Sequence, residues 1–414
     1  MLHSRNFWLV LVFCLSPLCC SAQKCHGQAS KQAIQLLNSE HEALSARLAL
    51  IASAKHEIVI STFHVEPGAS TNAILDALRS AAHRGVKVRL LFDGLKMELS
   101  TCQIESLQND GIVIREFHPT DSGGLLKLNR RLHSKVFVVD GNLMIFGSRN
   151  LRDKHFGLES ENFIDFEVAL QGDVATQAVN YFNWIWNSCH VGSAKGKEKG
   201  NAPSAFVCAT PCSQEPFRFQ PQFDALTFCL HDKRIDKKNR HMQAQRIEWV
   251  NSARKSLMIE SPYPAFSHAS LKAIEAAARR GVHVQIFTNS NSASDLPITY
   301  AALQNVRRRL QRVGVEIHEY EGDGTNHAKM FLVDGQFAVI GSHNFDARGD
   351  YFNLEFCIKI DSVEFTQRLE ARLEQRRLQS RSVKTAGLDR SQPLSDRVKI
   401  RARQIGALLI RPLL

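Results

Sequence analysis

From Ile74 to Asp93 (ILDALRSAAHRGVKVRLLFD) apolar residues fall at helical spacing, at Leu75, Leu78 and Ala82. The pattern reaches Gly85 and then switches to the alternation of a half-buried strand. Ser270 to Asn289 (SLKAIEAAARRGVHVQIFTN) repeats the same switch. Upstream, Ile51–Thr62 matches Val250–Ser261 as a helix end followed by a strand; downstream, Leu107–Phe117 matches Leu310–Tyr320. The chain is therefore an internal duplication, each copy predicting helix, strand, helix, strand, helix, strand. Strands alternating with helices predict an α/β fold, a sheet covered on both faces. The pattern breaks over residues 191–240, rich in Lys, Gly, Ser, Pro and Cys, which reads as a connection between halves at 30–190 and 241–379. A tail, 380–414, follows.

Each copy then closes on a distinctive stretch, LHSKVFVVDGNLMIFGSRN from Leu132 to Asn150 and NHAKMFLVDGQFAVIGSHN from Asn326 to Asn344. Two apolar strands joined at Asp140-Gly141, or at Asp334-Gly335, read as a hairpin. Residues two apart on a strand share a face, so His133 and Lys135 point together, as do Ser148 and Asn150. The second copy groups His327, Lys329, Ser342 and Asn344 in the same way. The next strand, FIDFEVAL, aims Asp165 and Glu167 to one side, and FNLEFCIKI offers Glu355. A lone buried His beside a Lys is ordinarily structural, but six fixed positions repeating at the same intervals favour function. A histidine to attack or protonate, a fixed cation, neutral donors and an orienting carboxylate are what phosphoryl transfer needs without a metal. No carboxylate cluster suggests magnesium, and no cofactor is expected. Asp140 and Asp334 precede Gly at turns, where Asp is favoured for local hydrogen bonding, so both are expected to be structural.

The first residues stand apart. Arg5 precedes an apolar run from Phe7 to Leu18, followed by Ser21 and Ala22, the plan of a secretory signal peptide cleaved after Ala22. The run is shorter than the roughly 20 residues needed to span a bilayer. Of the ten cysteines, Cys189, Cys208, Cys212 and Cys229 cluster near the connection, and an oxidising compartment favours disulfides there over zinc binding. The formal charge is +11, and from Arg368 onward twelve Lys and Arg face four Asp and Glu. Such a tail suits an anionic lipid or nucleic acid surface, and Val398–Leu414 alternates basic and apolar groups as an amphipathic segment would. No interleaving of aromatic and basic residues marks a groove for single-stranded nucleic acid, which ranks nucleic acid below lipid. Tyr181, Phe182, Trp184 and Trp186 read as a core helix face rather than a lipid contact. His64, His83 and His283 read as surface or packing residues.

Both closing stretches fit the pattern His-x-Lys-x4-Asp-x6-Gly-Ser-x-Asn, which resembles the phospholipase D superfamily, and two copies in one chain resemble its two-domain members. LNRRLHSK, NFIDFEVALQGDV with YFNWIWNS, TNSNSASD and GSHNFDARGDYFNLEF are similar to bacterial cardiolipin synthases of the branch lacking N-terminal membrane helices. The resemblance covers roughly residues 40 to 370. It implies two tandem domains, each a central β-sheet flanked by helices, related by pseudo-twofold symmetry and sharing one composite site. One histidine, by analogy His133, would form a phosphohistidine, and His327 would protonate the leaving alcohol. Lys135, Lys329, Asn150 and Asn344 would hold the phosphate together with Ser148 and Ser342, and Glu167 and Glu355 would orient the histidines. The implied protein is a periplasmic or secreted, membrane-associated monomer acting on phospholipid. The first motif carries Gly147-Ser148 where that branch has paired glycines, which leaves the acceptor open. The rival expectations are a phosphodiesterase that passes the group to water, acting on lipid or nucleic acid, and a binding module that keeps the fold.

Overall fold

The computed structural model of the protein describes residues 31–119, 129–196, 217–231, 241–382 and 394–409. Residues 1–22, Cys25, Cys208 and Cys212 lie outside these segments.

One sheet of sixteen strands runs through the molecule. From one edge its second-half strands are Ser380–Ser382, Glu316–Tyr320, His283–Asn289, Ser256–Glu260, Met330–Val333, Phe337–Gly341, Phe356–Asp361 and Phe223–His231. The first half continues with Lys31–Leu37, Glu167–Gln171, Leu143–Gly147, Val136–Val139, Glu57–Thr62, Lys87–Asp93, Val113–Phe117 and Val191–Ser193. Read from either edge, the strands come in equivalent order, so the halves are related by a pseudo-twofold axis where Lys31–Leu37 pairs antiparallel with Phe223–His231. Each half has the expected helices and strands. Two strands at 191–193 and 223–231 come from the segment expected to be a mere connection.

Helices cover both faces, as a sheet that is apolar on both sides requires. Strand alternation divides the core: Ile58 and Ile60 pack against the outer helices of the first half, while Val59 joins a cluster shared by both halves. That shared cluster lies under the helices Asp173–Trp186 and Val363–Leu378, with Phe146 and Tyr181 each within 5.3 Å of the Phe356 ring. Tyr181, Phe182 and Trp186 are buried in it, and Trp184 packs against it.

The turns Asp140-Gly141 and Asp334-Gly335 have positive φ at both positions, 51° and 64° in the first and 55° and 64° in the second, the geometry of a two-residue hairpin. The Asp140 carboxylate accepts hydrogen bonds from the backbone N–H groups of Lys55, His56 and Glu57, and Asp334 from those of Arg254, Lys255 and Ser256. Both carboxylates thus pin the hairpin tip to the start of a neighbouring strand, at the end of the hairpin opposite the histidines.

The tail contributes the edge strand Ser380–Ser382 and a helix, Leu394–Leu409, that packs Ile400 and Ala407 inward beside the helix Pro297–Arg312. Among the described residues no helix is long and apolar enough to cross a membrane. Among the described residues Cys189 and Cys102 are exposed free thiols and Cys357 is a buried one, and the side chains of Cys208, Cys212 and Cys229, the other members of the expected disulfide cluster, lie outside the description.

Candidate active site

The site forms where the parallel strands of each half end, next to the pseudo-twofold axis. At the end of Lys87–Asp93, the buried Asp93 carboxylate holds the Arg131 guanidinium and accepts the Leu132 N–H at 2.8 Å. At the equivalent strand end, Asn289 exchanges two hydrogen bonds with the Asn326 backbone, 2.9 and 2.8 Å. Each clamp fixes the residue immediately before a motif histidine.

The chain then crosses to the other half. The N–H groups of His133 and Ser134 donate to the Leu354 carbonyl at 3.0 and 2.9 Å, and the His327 N–H donates to the Ile164 carbonyl at 2.8 Å. Thr325–Asn326 pairs as a short parallel strand with Phe163–Ile164. Each histidine segment is therefore hydrogen-bonded to the carboxylate segment of the opposite half. His133 Nδ1 lies 2.9 and 3.0 Å from the Glu355 oxygens, and His327 Nδ1 lies 2.7 Å from Asp165 Oδ1. With Nδ1–H donated to a carboxylate, the lone pair of each imidazole sits on Nε2, the tautomer a nucleophile or general base requires. Ser148 donates to Asp165 at 2.6 Å and Ser342 to Glu355 at 2.5 Å. The two serines thus position the carboxylates that receive the motif histidines.

Glu167 requires a correction. It pairs with Arg47 at 2.6 Å and Arg149 at 3.4 Å and touches no histidine. Strand register explains this: Glu167 faces Gly147, and the residue facing the equivalent Gly341 is Cys357, so Asp165 is the counterpart of Glu355. The sequence signal was available in FIDFEVAL, whose two acids point to one side, but matching Glu to Glu chose the wrong one.

The remaining motif residues converge on the site. Lys135 Nζ donates to the His133 carbonyl at 2.7 Å, and Lys329 Nζ lies 2.6 Å from the His327 carbonyl and 3.1 Å from His327 Nε2. The Asn150 amide oxygen accepts from Thr62 and the His64 N–H, which turns its NH2 toward His155 Nε2, 3.3 Å away. Asn344 is equally buried. Phe63 sets its ring edge-on to His133, Phe163 stacks on His327 at 4.8 Å, and Tyr263 approaches His327 edge-on at 6.2 Å. His64 donates its backbone N–H to Asn150 and pairs its ring with Glu98, so it buttresses the site rather than the surface; His83 and His283 are exposed and lie 3.1 Å from Asp110 and Glu316 respectively.

Burial shapes the charges. It pulls Lys135 down to about 7, helped by repulsion from Lys329, and pulls Lys329 down to about 8 against the attraction of Asp165 and Glu355. Burial and the neighbouring lysines hold both His133 and His327 well below the ordinary imidazole range. Burial would raise Asp165, but the His327 and His155 imidazoles hold it well below the ordinary carboxylate range. The site therefore favours neutral imidazoles beside lysines whose charged forms an anion would stabilise.

His155 is a group that sequence reasoning missed. Its Nδ1 lies 2.5 Å from Asp165 Oδ2, so Asp165 serves two imidazoles. The ligand atoms of His155, Asp165 and His327 lie within 4.8 Å of one another, near enough for a metal ion. Each Nδ1 is already committed as a donor to Asp165, and hydrogen bonding accounts for the closeness.

The family model described as cardiolipin synthase, PLD-like domain matches residues 48–186 and 247–377, one match for each half. The chain belongs to that family. It is an enzyme of the phospholipase D superfamily, with both halves of the site in one polypeptide. Cardiolipin synthase C of Escherichia coli is 27% identical over 399 residues, covering 82% of this chain and 83% of the relative. An uncharacterised protein of Helicobacter pylori is also 27% identical, over 412 residues, covering 87% of this chain and 82% of its own. The fold is shared with phosphatidylserine synthase of Haemophilus influenzae, at 16% identity and a TM-score of 0.73 over 92% of this chain and 95% of that one.

Proposed function

We propose that this family member is a phosphatidyltransferase that makes cardiolipin-like products through a phosphohistidine. The observation that carries this reading is the pair of buried imidazoles, each held by a carboxylate of the opposite half, beside two lysines. In the first step His133 Nε2 attacks the phosphorus of a phospholipid phosphodiester. A P–N bond forms, the P–O bond to the leaving alcohol breaks, and His327 as imidazolium gives its Nε2 proton to the departing oxygen. In the second step an acceptor alcohol attacks the phosphorus, His327 takes the hydroxyl proton, and the P–N bond breaks to restore His133. Lys135, Lys329, Asn150 and Asn344 stabilise the charge on the non-bridging oxygens. The negative phosphodiester offsets the lysine charges and so raises the basicity of His327 enough to carry its proton.

The helix Leu394–Leu409 supports work at an anionic membrane surface. Its outward residues Leu394, Val398, Ile405, Leu408 and Leu409 are 56–79% exposed, an apolar ridge accompanied by Arg397, Arg401 and Arg403. Ala407 on its inner side packs against Ala265, two residues from Tyr263, whose ring faces His327. The protein acts as a monomer at the membrane surface, on the periplasmic or secreted side that the N-terminal pattern suggests. Supplying labelled phosphatidylglycerol and counting products tests the reading: transfer gives cardiolipin, and hydrolysis gives phosphatidic acid.

A further inference from the structure

The two halves differ in what meets the carboxylate that receives the opposite motif histidine. In the second half the Glu355 carboxylate receives His133, the Ser342 hydroxyl and the Asn353 amide at 3.2 Å. In the first half Asp165 receives His327, the Ser148 hydroxyl and, in place of an amide, the His155 imidazole. His155 is fully buried, and it comes from the short 3-10 turn Asp153–His155 after the first motif.

Its two nitrogens have separate duties. Nδ1–H donates to Asp165 Oδ2, while Nε2 accepts from the Asn150 amide at 3.3 Å. The neutral imidazole is the one protonation state that does both. Burial lowers its basicity against the pull of Asp165, in keeping with that state. His155 thereby ties the carboxylate that orients His327 to the amide placed for the phosphate. Arg149 fixes its backbone by donating to the His155 carbonyl at 2.8 Å, the His155 and His327 rings meet edge-on at 5.1 Å, and Phe163 packs against both, 4.7 Å from His155 and 4.8 Å from His327.

We propose that His155 is a positioning residue that sets the basicity of His327 through Asp165 and the orientation of Asn150, and so makes the two motif histidines unequal. The proposal rests on the phospholipase D reading of the site. A donor on Oδ2 withdraws charge from the carboxylate, leaving less of it to stabilise an imidazolium at His327. The other charged or titratable groups facing this trio are Lys329 at His327 Nε2, Tyr263 at the His327 ring, Arg149 and Arg152 near His155, Arg372, which donates to the Asp165 carbonyl at 2.8 Å, and Lys135, which the Asp165 carboxylate attracts. All of them remain when His155 is changed.

The test compares His155→Phe, which removes both contacts, with His155→Asn, whose amide nitrogen stands where Nδ1 stood and preserves the donor to Asp165. Histidine-labelled protein is titrated by nitrogen NMR, which reads His327 with no substrate present, and turnover of bis-p-nitrophenyl phosphate is followed against pH. In His155→Phe, the His327 titration and the limb of the rate profile that belongs to it are expected to move to higher pH. Turnover should fall about 10- to 100-fold, in the range for a misplaced catalytic group. His155→Asn should keep the His327 titration and lose part of the turnover. Asn353→Leu, the counterpart change beside Glu355, should move the His133 titration instead. An unmoved His327 titration in folded His155→Phe overturns the proposal, as does an equal shift in His155→Asn. Failure of the phospholipase D reading would appear separately, as absent phosphodiester turnover in the unaltered protein.

Discussion

His133 donates its Nδ1–H to Glu355, a residue of the other half, across a contact of 2.9 Å. His327 does the same with Asp165, so neither motif histidine pairs with a carboxylate of its own half. Duplication here has produced one site rather than two.

Five substitutions separate this arrangement from its alternatives. His133→Ala and His327→Ala should each lower turnover by at least ~100-fold, the low end for losing a positioned acid or base. Asp165→Asn and Glu355→Gln should also fall on the order of 100-fold or more, because an amide favours the wrong tautomer. Glu167→Gln should act differently: it strips a buried partner from Arg47 and Arg149, costing about 3–5 kcal/mol of stability while sparing kcat in the fraction that stays folded. Thermal melts beside steady-state kinetics check all of these, and a Glu167→Gln defect confined to kcat would reverse the assignment.

Much of this was legible in the chain and one part was not. The helix-to-strand switch at Gly85 and again at Gly281 gave both halves, and the repeated His, Lys, Ser and Asn gave most of the site. The loop from Asn150 to Asp165 is longer than that from Asn344 to Glu355, so residue type was a poor guide to register and Glu167 stood in for Asp165. His155 lies in that longer loop, where no periodicity marks a functional residue. The crossing of His133 to Glu355 is carried by backbone pairing between Leu132 and Leu354, a contact that no local pattern encodes. The inward face of Leu394–Leu409 was hidden for the same reason, since it is defined by packing on a distant helix.

The lowered lysines predict proton uptake on binding. With Lys135 at about 7 and Lys329 at about 8, an empty site at pH 8 is partly deprotonated, and a bound phosphodiester favours the charged forms. Calorimetry with dimethyl phosphate, which does not itself titrate near this pH, should show net uptake across buffers of different ionisation enthalpy. Lys135→Met should reduce it. Binding without uptake in the unaltered protein would contradict the charge balance described for the site.

Activity should survive EDTA, because lysines and amides supply the charge stabilisation that a metal could otherwise give. The closeness of His155, Asp165 and His327 sharpens the test. Complete loss on chelation, with recovery on adding zinc, would turn this hydrogen-bonded trio into a ligand set.

The outward ridge of Leu394–Leu409 predicts surface binding that is separable from chemistry. Val398→Asp with Ile405→Asp should weaken binding to phosphatidylglycerol vesicles several-fold, since both side chains are exposed and neither packs on the fold. Turnover of bis-p-nitrophenyl phosphate should be unchanged. Equal vesicle sedimentation by the double variant would remove the membrane role of this helix.

Phosphatidyl transfer is tested most directly by the fate of the covalent intermediate. Water and a lipid alcohol compete for phosphatidyl-His133, and a site that positions the acceptor favours transfer even though water is far more concentrated. Labelled phosphatidylglycerol in mixed micelles, with product lipids counted over time and plasmid DNA assayed in parallel, is expected to yield more cardiolipin than phosphatidic acid and to leave the DNA intact. Phosphatidic acid as the sole lipid product, or DNA cleavage without lipid turnover, would contradict it.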